Sequence, residues 1–241
     1  MPEATVVAWY DALPADLAGL VGRVQGLLGR ELAGFEPRNP RQVHATVIRL
    51  DPGSDLAGLL GHLHAAFSAA PLRIQFGGFS DRDHAVASRS KRLYERSLTM
   101  QQGLVTLIGW PVEERSGSPT AGRGSGPAEA EPLQVLGEVR RDCQRFGAVH
   151  KYHGAGRATD PDAYMVVGEY DQAGTTPAEL ERAAGKVRAW LRRRPVRVRM
   201  GAGELRAVVY ADRRLPPEST VALPLGRPGA HAEVARLLRR R

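Results

Sequence analysis

Apolar residues along this chain fall into short alternating runs that trade places with stretches of helical spacing. Thr5 to Trp9 (TVVAW) reads as a strand, and Ala15 to Leu28 (ADLAGLVGRVQGLL) places apolar residues at helical intervals behind a proline boundary. Val43 to Leu50 (VHATVIRL) is a second strand. Asp51-Pro-Gly-Ser-Asp55 supplies a turn and a helix cap, and Leu56 to Phe67 is again an amphipathic helix. Leu72 to Phe79 (LRIQFGGF) alternates as a strand. After a polar, basic loop from Ser80 to Arg92, Ser97 to Trp110 holds one long strand or a hairpin.

Pro111 to Pro132 contains SGSPTAGRGSGPAEAEP, whose residues bury too little apolar surface to order themselves, so a flexible linker is expected there. Beyond it the order of elements recurs: helix Leu133 to Arg145, strand Ala163 to Asp171, helix Pro177 to Arg193, then strands Val196 to Met200 and Leu205 to Tyr210. The halves align residue against residue. HATVIRLD (His44 to Asp51), a helix and PLRIQFGG (Pro71 to Gly78) parallel YMVVGEYD (Tyr164 to Asp171), a helix and PVRVRMGA (Pro195 to Ala202). The expected architecture is α+β and bilobal by internal duplication, with two antiparallel sheets facing a central cleft and helices on the outer faces. Residues 1–110 form the first lobe, 111–132 the linker and 133–241 the second lobe of one bilobal domain.

Composition narrows the picture further. With 42% hydrophobic and 25% charged residues, 241 residues are enough to bury a real core. The single cysteine, Cys143, forms no intrachain disulfide and sits in no metal-ligand spacing, which suits a reducing cytoplasm. No apolar run is long enough to span a bilayer, and the acidic N-terminus is unlike a signal peptide. The net charge of +8 favours polyanionic partners, although an arginine-, alanine- and glycine-rich composition also follows from a GC-rich genome. The basic tail from Val234 to Arg241 could form a phosphate-contacting helix end, but reads better as a solvated, frayed end.

His44-Ala45-Thr46 is the sharpest chemical signal. Positions two apart on a strand share a face, so the imidazole and the hydroxyl point toward one pocket, where a phosphate would find both a proton-transfer group and a donor. In the second half, Val149-His-Lys-Tyr-His-Gly154 gathers two further histidines. His150 and Tyr152 share a strand face if the backbone is regular, with the phenol standing for the threonine hydroxyl, whereas a bend at Gly154 presents His153 instead. HKYH as an exposed loop or weak metal site is the competing reading. His62 and His64 lie on different faces of their helix, His84 falls in a solvated loop, and Gly154-Ala155-Gly156 lacks the context of a dinucleotide site.

A duplicated α/β chain with H-x-T on the strand after its first helix resembles the two-histidine (2H) phosphoesterase superfamily, also called 2′-5′ RNA ligase-like. The resemblance covers nearly the whole chain: His44 and Thr46 match the first motif, Leu50 falls at an apolar position of the pattern, and LRIQFGGF resembles the strand and glycine pair that follow. The second motif's slot falls on Tyr164-Met165-Val166, which departs from the pattern, and the upstream HKYH supplies the missing imidazole. The resemblance implies a metal-independent, cofactor-free phosphodiesterase acting on 2′,3′-cyclic phosphates or 2′-5′-linked RNA or nucleotides. His44, Thr46, His150, Tyr152 and His153 are the candidate catalytic set, and Arg49, Lys151 and Tyr164 the candidate substrate contacts. RNA or a small nucleotide is the expected partner of a cytoplasmic monomer. A degenerate nucleotide-binding member and a protein-interaction scaffold are the alternatives.

Overall fold

The computed structural model describes residues 2–84, 92–113, 130–148 and 160–239. Ten strands and six helices follow in the order β1 (Glu3–Ala8), α1 (Ala15–Glu31), β2 (Glu36–Pro37), β3 (Ala45–Leu50), α2 (Leu56–Ala69), β4 (Leu72–Phe76), α3 (Leu93–Arg96), β5 (Leu98–Gln101), β6 (Leu104–Pro111), α4 (Val135–Asp142), β7 (Ala163–Glu169), α5 (Pro177–Leu191), β8 (Val196–Met200), β9 (Leu205–Tyr210), β10 (Val221–Pro224) and α6 (Ala230–Leu238). They build two antiparallel sheets, one ordered β10-β9-β1-β3 and the other β2-β7-β6-β4-β8, with β5 paired to β6. The fold is thus bilobal α+β, and the two halves of the sequence exchange strands: the first sheet pairs β1 and β3 with β9 and β10, and the second pairs β4 and β6 with β7 and β8.

Local chemistry accounts for the elements. The buried stripe of α1, Leu17, Leu20, Val21, Val24 and Leu28, follows the helical period. Asp55 caps α2 by accepting from the Gly58 amide at 2.9 Å. Thr176 and Glu179 form a reciprocal capping box at the start of α5, with Pro177 in its first turn. Gly77 and Gly78 end β4 with φ of +70° and +76°; a Cβ at Gly77 would lie 2.5 Å from the Leu191 carbonyl oxygen, so glycine is needed where the sheet meets α5. The region Ser97 to Trp110 resolves into the hairpin of β5 and β6.

The duplication shows most clearly in two pairings. β4 and β8, the proline-initiated strands that repeat in sequence, pair with each other so that the equivalent residues Ile74 and Val198 face one another. Each motif strand also carries a bulge at the same offset. Val7 pairs with Thr46 and Val6 with Ile48, leaving Val47 extra in β3; Thr106 pairs with Val166 and Val105 with Gly168, leaving Val167 extra in β7.

One segment differs from the expectation. The C-terminal stretch is helix α6, whose Ala230 and Val234 are buried in the main core against β9, β1 and α2. Its apolar spacing is too short to stand out from a basic tail, and only the partner strands give it a face to cover. Most of the expected linker lies outside the described residues, but its flanks meet: Val112 bridges to Pro132, and the Leu133 amide donates to the Pro111 carbonyl at 2.8 Å.

Candidate active site

His44 immediately precedes β3 and is oriented from both sides. A turn of 3₁₀ helix, Pro40–Gln42, is capped by the Asn39 side chain and presents the Gln42 carbonyl oxygen 2.7 Å from His44 Nδ1. A carbonyl only accepts, so Nδ1 carries the proton and Nε2 keeps its lone pair. The Tyr10 ring packs edge-on against the imidazole at 6.2 Å. Burial lowers the His44 pKa to about 4, a shift reinforced by the Arg38 charge and opposed by the Gln42 hydrogen bond. The ring is therefore neutral at pH 7 and fit to accept a proton rather than to donate one.

His44 and Thr46 line a cavity of about 450 Å³ between the two sheets, whose opposite wall carries Tyr164 and Val166 of β7. The slot that the repeat assigns to the second motif thus lies across the cleft from the first, but it holds a phenol and an isopropyl group instead of imidazole and hydroxyl. Arg49 lines the same cavity and pairs with Asp51 at 3.1 Å. Of the other candidates, His150, Lys151, Tyr152 and His153 lie outside the described residues.

The motif strand is held from beneath by Arg140 of α4, which is wholly buried. Its guanidinium donates to the Thr46 carbonyl at 2.9 Å, the Val47 carbonyl at 3.0 Å and the Asp160 carbonyl at 2.6 Å. Asp162 lies 3.5 Å from Arg140 and 3.0 Å from Arg96, so the lead into β7 is tied to the bulge of β3. The Arg140 guanidinium also sits 6.0 Å from the centre of the Tyr164 ring.

Sequence reasoning missed Arg38, Glu169 and Arg214, which also line the cleft. Arg38 follows β2 and Arg214 lies beyond β9, so no local pattern links them. Glu169 sits within the repeat, where the first half has Arg49, but carries no motif. His84, expected in a solvated loop, has a side chain only 2% exposed, edge-on to Phe79 at 6.0 Å and with Nδ1 3.5 Å from Glu131. His62 accepts from Arg145 at 2.8 Å, while His64 lies beside Gly226, so the two helix histidines serve separate surroundings. Among the described residues, no three His, Cys, Asp or Glu side chains gather as a metal-ligand set, and no helix is long and apolar enough to cross a membrane.

No family model matches the chain, and no curated protein matches it in sequence. Among solved structures it is similar to TT0787 of Thermus thermophilus, with 13% identity and a TM-score of 0.42 over 91% of this chain and 93% of that one. It is also similar to Kluyveromyces marxianus Usb1, with 12% identity and a TM-score of 0.43 over 92% of this chain and 97% of that one.

Proposed function

We propose that this protein is a phosphodiesterase acting on 2′,3′-cyclic phosphates or 2′-5′ linkages of RNA or nucleotides, with His44 as its general base. The observation that carries the reading is the pairing of a neutral imidazole, fixed as its Nδ1 tautomer by Gln42, with Thr46 in a cleft lined by arginines. In hydrolysis of a cyclic phosphate, His44 Nε2 takes a proton from water as the water oxygen bonds to phosphorus. The bond to one ribose oxygen breaks, and a second acid protonates that oxygen. Thr46 donates to a non-bridging oxygen as charge builds there, and Arg49 and Tyr164 contact the substrate. His150 is assigned as the acid, with Tyr152 beside it. Lys151 is a further phosphate contact, and His153 is the alternative acid should the chain bend at Gly154.

The test is turnover of a dinucleotide 2′,3′-cyclic phosphate in the presence of chelator by wild type and His44→Ala. Loss of turnover in the variant supports the reading, and an unaffected rate overturns it. A second reading is favoured by one observation, the Tyr164 and Val166 pair where a second H-x-T would stand: a protein that binds the nucleotide without converting it. Tight binding by wild type with no product at any pH would select it.

A further inference from the structure

Arg38 and Arg214 reach the cleft from different sheets and meet on a single carboxylate. Arg38 Nη2 donates to Glu169 Oε1 at 2.9 Å, and Arg214 Nη2 donates to Glu169 Oε2 at 2.6 Å, one guanidinium to each oxygen. The Arg38 side chain is only 8% exposed, yet it lines the cavity and spends one of its five N–H groups on this bond. Arg214 belongs to the segment after β9, a strap whose residues Asp212 to Leu215 line the cavity and which reaches Glu169 of the other sheet. The strap is fixed by the Tyr10 hydroxyl donating to the Leu215 carbonyl at 3.0 Å, by the Arg213–Glu3 pair at 3.2 Å, and by the Asp212 carboxylate, which accepts from the Arg214 amide. Leu215 holds φ of +52°, a conformation that such anchoring must maintain. The other two arginines that line the cavity pair with one carboxylate each, Arg49 with Asp51 and Arg213 with Glu3, whereas Arg38 and Arg214 share Glu169.

We propose that Arg38 and Arg214 form a second phosphate subsite beside His44 and Thr46, so that the cleft takes an RNA end of at least two nucleotides rather than a mononucleotide. Glu169 brings the two guanidinia onto one carboxylate, and both side chains line the cavity that the reacting phosphate enters, each with N–H groups beyond the one that Glu169 accepts. This inference rests on the phosphodiesterase reading for the identity of its ligand, but it is a statement about binding. It has no counterpart in the repeat, since neither arginine belongs to a duplicated motif.

The experiment measures binding of three probes that the proposed hydrolysis does not consume: adenosine 3′-monophosphate, the dinucleotide ApAp, and ApAp with a neutral methylphosphonate linkage. Wild type is expected to bind ApAp about tenfold more tightly than its methylphosphonate analogue, and Arg214→Ala, at a largely exposed side chain, to bring that ratio close to one. Arg214→Lys should retain part of the preference, because it keeps the charge and loses the fork. A ratio near one in wild type, an unchanged ratio in Arg214→Ala, or no binding of any probe overturns the subsite. Turnover of the cyclic dinucleotide is followed in parallel: an intact charge preference without turnover defeats the hydrolase reading and leaves the subsite standing.

Discussion

Val47 and Val167 are the extra residues of two bulges at the same offset past Thr46 and Val166, and a helix from the opposite half of the chain serves each carbonyl. Arg140 of α4 donates to Val47 at 3.0 Å, and Gln25 of α1 donates to Val167 at 2.8 Å, beside the Arg38 amide, which reaches the same Val167 oxygen at 3.0 Å. A bulge breaks the ladder and leaves a carbonyl inside the protein, which is costly unless a donor reaches it. The duplicated chain meets that need twice by reciprocal exchange, and in doing so sets the two walls of the cleft against each other.

Arg140→Met keeps much of the volume but takes a donor from three carbonyl oxygens, those of Thr46, Val47 and Asp160, and removes one cation from Asp162. The expected loss is about 3–5 kcal/mol of unfolding free energy, read from a shift in the urea midpoint. Arg140→Lys should fall between, since an ammonium cannot span Thr46, Val47 and Asp160 together. Wild-type stability in Arg140→Met would mean that the network contributes nothing net.

The depressed pKa of His44 makes both stability and rate depend on pH with a defined sign. Between its ordinary value of 6.5 and about 4, the unfolded chain holds a proton that the native imidazole does not. The contribution of this group is therefore complete above pH 6.5 and is lost as pH falls through that window, by at most about 3 kcal/mol. His44→Asn should flatten this part of the stability profile. In the proposed reaction the acid limb of kcat/KM should lie near pH 4, and imidazole NMR shifts that titrate near 6.5 would contradict both expectations.

The main helices, most strands and the equivalence of His44 with Tyr164 were legible because hydrophobic period and capping chemistry are local. The cleft between β3 and β7 followed from the repeat alone. The strap, α6, and the Arg38–Glu169–Arg214 group were not legible: each depends on contacts between residues far apart in sequence, and charged side chains in an arginine-rich chain do not advertise which of them will be enclosed. His84 escaped for the same reason, since it is the packing of Phe79 and Glu131 around it that buries a loop histidine.

Because α6 covers core residues, its burial is open to a direct test. Val234→Asp places a carboxylate among apolar side chains and should destabilise the protein by at least about 2 kcal/mol, whereas Arg239→Asp, at an exposed position, should leave the melting temperature within about 1–2 °C. Equal tolerance at both sites would return this segment to the frayed end that its composition suggests.

The histidines decide the chemistry. His44→Ala should lower turnover of a 2′,3′-cyclic phosphate by about 10²- to 10⁴-fold while leaving the unfolding midpoint near wild type, because the ring's one backbone bond is to a turn rather than to the core. His150→Ala should be more damaging than His153→Ala, since only His150 keeps a hydroxyl neighbour, Tyr152, at the two-residue spacing that in an extended chain would put both groups on one face. A His44 that is neutral through most of the pH range supplies only the base, so the acid must come from elsewhere, and its pKa should appear as the alkaline limb of the rate profile. If His153→Ala removes that limb and His150→Ala does not, the acid is His153 and the chain turns at Gly154. Should neither substitution move it, the second proton is not carried by this pair, and Tyr164, standing where the repeat calls for a histidine, becomes the residue to replace next.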